Sequence, residues 1–575
     1  MVKTTEAAES EPAAAAVLAL VDAAVDIGAA GVPGWSEAEQ RLAATAALTR
    51  PHRKATVGDA RLLAERIRGG EDPLGDALCV ARGRAGRRAR GQTFTPVPII
   101  DSMTSWAASV ARDGIGRVVD PGSGSARFLI AAGRKWPGAS LVGVETDPVA
   151  AVIGRASLAA AGLADRSRVV LGDYRSVRLP DAPGPTAFLG NPPYVRHHQI
   201  APHWKEWLRS AAGGLGLPAS GLSGLHVHFF LATALHAAPG DLGALITAAE
   251  WADVNYGSLV RALLLGPLGG QSLHLVPPTV PVFADAAATS VIACFRPGTT
   301  PRSLRVRQIA ALADLGELDG GRRVPAADLR AAPRWSPVLR GQDAAGVRDG
   351  GRPTRALRMR GPARLGPDLV ELGELCTVHR GQVTGCNAVW VAASGTGHAL
   401  IPGRFLLPSV TRARELFQSG AALSAGSSLR RVIDLPADLS ELTAEERAGV
   451  TIFLGRARAS AGFDSYIARH RRPWWRVRLA DPPPILTTYM ARRPPTFVRN
   501  LAGARYLNIA HGIYPREPLE PAVLDTLAAY LRGSVTPGQG RVYAGGLVKF
   551  EPGEVQRLPV PTLTLLRAAT AQIQP

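Results

Sequence analysis

Cysteine is scarce in this chain. Four occur in 575 residues (Cys79, Cys294, Cys376 and Cys386), and no two form a CxxC pair. That spacing excludes a disulfide framework, argues against a zinc or other metal site, and fits a reducing cytoplasm. Lysine is nearly absent too, with five residues, Lys3, Lys54, Lys135, Lys205 and Lys549. The residues two positions before them are Met1, His52, Gly133, His203 and Leu547. None is acidic, which argues against a nuclease core that pairs an acid with a lysine at that spacing. No apolar run is clean enough to span a membrane, because the stretch from Ala13 to Val32 carries Asp22 and Asp26. It reads instead as a helix packing on the domain behind it. Met1 to Pro12 is acidic and polar, so no signal peptide is expected.

Hydrophobic residues make up 46% and charged residues 20%, the balance of a folded globular protein of two or three domains. The formal net charge is +19 and the pI about 10.7. A chain this basic is expected to meet a polyanion. A GC-rich genome accounts for arginine over lysine, but not for 66 basic side chains against 47 acidic ones.

Residues 1–90 read as helical, ending in the basic run Arg82 to Arg90, either a solvated linker or a phosphate contact. From Gly91 the pattern changes. Short apolar runs at Arg117–Asp120, Ser140–Glu145, Arg168–Leu171, Thr186–Gly190 and Leu242–Thr247 alternate with helical stretches. That alternation predicts an α/β domain with a largely parallel sheet. Arg296 to Arg302 reads as a linker, and Arg348 to Pro367 as loosely structured. The remainder is mixed, with short strands, Pro-rich turns and a few helices.

Asp120-Pro121-Gly122-Ser123-Gly124-Ser125-Ala126-Arg127-Phe128 lies between a predicted strand and a predicted helix. Small residues there allow close approach of backbone to a ligand, and the helix N-terminus offers free N–H groups. Glu145 ends the next strand, 25 residues after Asp120, where it can accept both hydroxyls of a ribose. Asp173, after the third strand, can accept from an exocyclic adenine amine. Acids at successive strand ends indicate a nucleoside pocket. S-adenosylmethionine and a nicotinamide or flavin dinucleotide both fit at this point.

The turn Asn191-Pro192-Pro193-Tyr194 follows the fourth predicted strand. Two prolines hold the Asn191 side chain and the Pro192 carbonyl pointing the same way, giving two acceptors for the hydrogens of one planar NH2 group. Tyr194 can stack on the attached ring.

With these motifs in place, the chain resembles DNA methyltransferases of the TaqI-like type, which act on adenine N6. In these enzymes the cofactor motifs precede the target-recognition region. Gly91-Gln92-Thr93-Phe94-Thr95-Pro96, with Asp101 and Met103, is similar to the family's first cofactor motif. The resemblance implies a class I (Rossmann-like) S-adenosylmethionine methyltransferase domain over 91–297, with a helical extension at 1–90. It further implies an irregular linker at 298–367 and a mixed α+β target-recognition domain at 368–575. S-adenosyl-L-methionine would be the methyl donor, bound by Thr95, Pro96, Asp120, Gly122, Gly124, Glu145, Asp173 and Asn191. Asn191, Pro192 and Tyr194 would be catalytic. Phe283, in the segment PVFADAAATSVIACF, would supply a second aromatic against a flipped adenine, or else be a core aromatic. Ala126 departs from the family's glycine. Leu372 to Leu375 and Arg380 to Asn387 look like the opening of the recognition region.

In the C-terminal part, Arg469-His470-Arg471-Arg472-Pro473-Trp474-Trp475-Arg476 interleaves arginines with tryptophans. This suits phosphate contacts beside packing against DNA, or a solvated basic face with the tryptophans in the core. Arg380, Thr384, Asn387, Arg471, Arg472 and Arg476 are the candidate DNA contacts. The expected partners are double-stranded DNA and a separately encoded restriction endonuclease. The chain is expected to be monomeric, cytoplasmic and not membrane-bound. RNA or a protein glutamine amide as substrate, or a catalytically silent DNA-binding module, stand as alternatives.

Overall fold

The computed structural model describes residues 11–48, 57–92, 95–276, 289–316, 318–332, 334–339, 368–392, 398–459, 465–491, 493–543 and 547–573. The chain divides into two compact units, Met1–Met359 and Arg360–Pro575.

The first unit is built on a nine-stranded sheet. Its strands are β1 (Arg117–Pro121), β2 (Ser140–Glu145), β3 (Ser167–Leu171), β4 (Thr186–Gly190), β5 (Leu242–Ala248), β6 (Gly270–Val276), β7 (Ser290–Phe295), β8 (Ser303–Gln308) and β9 (Arg322–Pro325). The order is β3-β2-β1-β4-β5-β7-β6-β8-β9. β3, β2, β1, β4 and β5 are parallel, and β7 runs antiparallel to both its neighbours. The first seven strands have the class I methyltransferase arrangement expected from the sequence. The central strands are buried on both faces, which is why they read as continuous apolar runs. Alternate residues serve opposite cores. Val119, Phe188 and Leu245 join one cluster, and Val118, Leu189 and Ile246 the other.

Two expectations change. Residues 298–367 are not all linker, because β8 and β9 extend the sheet beyond β6. In β8, Leu304 and Val306 are buried while Arg305 is exposed, the two-residue period of a strand with one covered face. Arginine on its uncovered face, in an arginine-rich chain, masks that period. The stretch Arg348 to Pro367 lies outside the described residues. The basic run before Gly91 is not a linker either. It continues a helix, Pro73–Arg90, kinked at Gly83 (φ 58°, ψ −179°).

Helices α1 (Glu11–Ile27), α2 (Glu37–Leu48), α3 (Val57–Arg68) and α4 (Pro73–Arg90) precede the sheet. Val17, Val21, Ile67, Leu74 and Leu78 pack on Val149, Val152, Ile153 and Ala156 of the helix Pro148–Ala160 that follows β2. That helix therefore has no solvated face over Val149–Leu158, and its Arg155 is fully buried. A buried guanidinium must be paired and hydrogen-bonded. Arg155 Nε donates to Glu39 Oε1 at 2.6 Å, and the remaining N–H groups reach the carbonyls of Val32, Pro33, Gly34 and Val169. Glu39 is equally buried, and its other oxygen accepts from the backbone and hydroxyl of Ser36. This ion pair ties the helical extension to the sheet.

The second unit is mixed α+β. A five-stranded sheet orders Cys376–Arg380, Ala510–Pro515, Ile485–Thr488, Phe497–Asn500 and Ala422–Leu423. The helix Pro521–Ser534 covers it through Val523, Leu527 and Leu531. A four-stranded sheet runs Val391–Ala392, Arg431–Ile433, Leu406–Val410 and Arg505–Tyr506.

Removing one partner of the buried pair leaves an uncompensated charge, so Glu39→Ala should cost about 3–5 kcal/mol. Glu37→Ala, which breaks the exposed Glu37–Arg41 pair, should stay within about 0.5 kcal/mol. Denaturant melts of both variants check this, and equal effects would count against the Arg155 anchor.

Candidate cofactor and catalytic site

In an open α/β sheet, ligands bind beyond the carboxyl ends of the strands where the strand order reverses. Here that point lies between β1 and β4, and three motifs meet there. Gly190, the last residue of β4, has no room for a side chain, since a Cβ would sit 2.7 Å from Asp120 Oδ1. The Tyr194 N–H donates to the Gly91 carbonyl at 3.1 Å, and Gly91 (φ 64°) is packed against Tyr194 and Val195. Asn191 Nδ2 donates to Thr95 Oγ1 at 3.1 Å. Thr95 is buried, and Pro96 precedes the helix Val97–Val110 as its N-cap.

The loop after β1 is shaped by Glu145. Its Oε2 accepts from Gly124 N at 2.9 Å, while Oε1 accepts from Thr146 N at 2.8 Å and Asp147 N at 3.0 Å. Gly122 (φ 89°), Gly124 (φ 51°) and Ala126 (φ 67°) adopt left-handed backbone. Ala126 keeps that geometry without being glycine. Burial pushes the Glu145 carboxyl above the usual range, with the nearby Asp147 charge adding to it, although the three N–H groups pull the other way. Asp120 is 1% exposed, and its Oδ1 has no hydrogen-bond partner among the described residues. Burial, then the charge of Glu145, raise its carboxyl well above the normal value. The pair forms a cradle short of positive charge.

Asp173 is not open in the way the sequence suggested. Arg175 grips it, Nε to Oδ1 at 2.8 Å and Nη2 to Oδ2 at 2.5 Å. Burial alone would raise the Asp173 carboxyl, but the bonds and charge of Arg175 hold it below the usual range. A carboxylate has about four lone-pair sites, so this clamp orients Asp173 and still leaves capacity for one more donor. The Arg175 guanidinium lies 3.7 Å over the Trp204 ring. His228, pushed down to about 3 by burial and then by Arg175, is neutral beside it. The Asp-x-Arg spacing was the available signal for this clamp. The Tyr194 hydroxyl is buried without a hydrogen-bond partner among the described residues, and burial raises its pKa, so it stays a neutral phenol. Phe283 lies outside the described residues.

Comparison with known proteins shows the family of the chain. The chain is 49% identical over 505 residues to the Type II methyltransferase M.XamI of Xanthomonas campestris pv. amaranthicola, covering 88% of this chain and 91% of that one. It belongs to the Type II methyltransferase family. It is also 21% identical over 84% of its length to the Type II methyltransferase M.AccI of Acinetobacter calcoaceticus, 88% of which is covered. Residues 358–574 match the C-terminal domain family of the Type II methyltransferase M.Eco57I. Among solved structures, the Type IIL restriction-modification enzyme MmeI in complex with DNA shares the fold. The TM-score is 0.55 at 13% identity, over 87% of this chain and 73% of that one.

In the second unit of this Type II methyltransferase, four of the six candidate DNA contacts come together. Arg380, Arg471, Arg472 and Arg476, with Arg478 and His470, line a groove of about 630 Å³. Arg471 donates to the Val383 carbonyl, and the Arg380 guanidinium lies 5.0 Å over Tyr489. Thr384 departs from expectation. It is buried and hydrogen-bonds Asn387 Oδ1 at 2.5 Å, so it holds Asn387 in place instead of facing outward. Trp474 and Trp475, partly buried, pack on the core around Trp390 and Phe453.

The raised Asp120 carboxyl has a pH consequence. A folded-state pKa above the unfolded one means the folded protein binds the extra proton, so stability falls as pH rises towards the folded pKa. Asp120→Asn removes that charge. Its melting temperature relative to wild type should therefore climb as pH rises above the ordinary carboxylate pKa of about 4, as followed by thermal melts of the ligand-free protein. A pH-independent difference would argue that Asp120 is not perturbed.

Proposed function

We propose that this enzyme transfers a methyl group from S-adenosyl-L-methionine to the N6 amine of an adenine flipped out of double-stranded DNA. The observation that carries the reading is the Asn191 amide, held by Thr95 at the end of β4, beside the Asp120–Glu145 cradle. The cradle suits this donor. A cationic ligand supplies what two buried carboxyls lack, Glu145 can accept from ribose hydroxyls, and Asp173 retains capacity for an adenine amine. When bound, the sulfonium offers an electrophilic methyl.

The chain's own residues then have an orienting task. The amine is a weak nucleophile because its lone pair is delocalised into the ring. Nδ2 donation to Thr95 makes Oδ1 the accepting end of the Asn191 amide. Hydrogen bonds from the two amine hydrogens to Asn191 Oδ1 and the Pro192 carbonyl localise the lone pair for in-line attack. The neutral Tyr194 ring stacks on the base, offsetting part of the few kcal/mol that flipping costs. By resemblance, Phe283 would supply the second aromatic against the base. The arginine groove of the second unit would hold the duplex, with phosphate contacts from its exposed members. In this reading the enzyme works as a cytoplasmic monomer and protects DNA from a separately encoded endonuclease.

The test is expression in a host lacking adenine methylation, with modified-base sequencing of its genome. Wild type should place N6-methyladenine in one short motif, and Asn191→Ala should leave that motif unmodified. Soluble, cofactor-binding wild type that modifies no adenine would overturn the reading and direct attention to cytosine N4, RNA and protein amides.

A further inference from the structure

Among the described residues, the N-terminal extension touches the cofactor cradle at two places, and at one of them the contact is led by a carboxylate. Asp72, just ahead of α4, has a side chain only 10% exposed. It accepts from the Ser125 hydroxyl and from Arg127 Nε at 2.5 Å, while its own position is held by Gly75 N at 2.9 Å. Ser125 and Arg127 flank Ala126, the one residue of the glycine loop held at positive φ with a Cβ. An alanine in left-handed backbone is strained and persists only where its surroundings over-determine it. Ala126 is also the N-cap of the following helix and has no side-chain acceptor with which to cap it. Asp72 holds the residue on each side of it.

The contact continues towards the catalytic turn. Arg127 Nη1 donates to the Thr95 carbonyl at 3.1 Å, and Thr95 Oγ1 accepts from Asn191. Arg127 Nη2 also reaches Asp76 at 2.7 Å, but that carboxylate is 72% exposed. The second point of touch is Asp147, whose N–H binds Glu145. Its side chain is held by Arg82 of α4, buried at 8% exposure, and by Gln92 Nε2 at 2.8 Å. The extension thus grips the glycine loop through Asp72 and the acidic loop through Arg82.

We propose that Asp72 is a positioning residue. By fixing Ser125 and Arg127 it sets the glycine loop in its cofactor-binding shape and, through Thr95, the Asn191 amide. This rests on the reading of the cradle as the S-adenosylmethionine site.

The experiment measures the dissociation constant of S-adenosylmethionine by calorimetry on full-length wild type, Asp72→Ala, Asp72→Asn and Asp76→Ala. Thermal melts of the ligand-free proteins run alongside. Asp72→Ala should weaken binding about tenfold or more, and Asp72→Asn, which keeps an acceptor for Ser125, by less. Asp76→Ala should bind within about twofold of wild type. A merely structural Asp72 would lower the melting temperature without changing the affinity of the folded protein. Should Asp72→Ala not fold, Ser125→Ala removes one hydroxyl only and should still weaken binding by about threefold or more. Wild-type binding matched by Asp72→Ala, or by Ser125→Ala in its place, would overturn this proposal alone. Absence of binding by wild type would overturn the cofactor reading itself, and this proposal with it.

Discussion

Glu145 accepts three backbone N–H groups, and the geometry of the site depends on that acceptance. One bond crosses to Gly124 and sets the turn after β1, and two fold back on Thr146 and Asp147 to set the turn after β2. Parallel strands end with their next N–H groups unpaired, so a carboxylate at the end of one strand is the natural partner for the loop leaving its neighbour. The same bonds place Asp147 where Arg82 can reach it. They also leave Asp120 buried beside Glu145, where burial raises both carboxyls, helped by the Glu145 charge at Asp120 and by the Asp147 charge at Glu145.

The molecule satisfies its buried charges unevenly, and the unevenness follows use. Arg155 and Glu39 are sealed away from solvent, and the guanidinium is bonded at each nitrogen to the carboxylate or to backbone carbonyls. Such a pair fixes one element on another and can do little else. Asp120, at the end of β1, has one oxygen with no hydrogen-bond partner among the described residues. A buried acceptor left that way is costly, and such costs concentrate where a ligand is bound. Asp173 lies between the two, clamped by Arg175 yet partly open to a further donor.

Much of this was legible in the chain. The five parallel strands stand out because strands buried on both faces must be apolar throughout, and the structure moves none of their ends by more than one residue. The Asn191 turn announces itself through two adjacent prolines after such a strand. Other features depend on contacts that local pattern does not carry. Strand β8 hides because its solvent face is arginine in an arginine-rich chain. Glu39 and Arg155 are 116 residues apart, and Asp72 and Arg127 are 55 apart, so neither pairing leaves a trace in spacing. Residue type alone puts Thr384 on a surface and leaves Trp474 and Trp475 open between surface and core. Packing around Trp390 decides for the tryptophans, and burial decides for Thr384.

In the proposed function, the loops after β1 and β2 form one S-adenosylmethionine site next to Asn191. Calorimetric titration of S-adenosylmethionine into wild type and Glu145→Ala tests it most directly. About one site per wild-type chain is expected, with an affinity loss of about tenfold or more in a Glu145→Ala protein that remains folded. Equal affinity in the two proteins, or no binding by wild type, would contradict it.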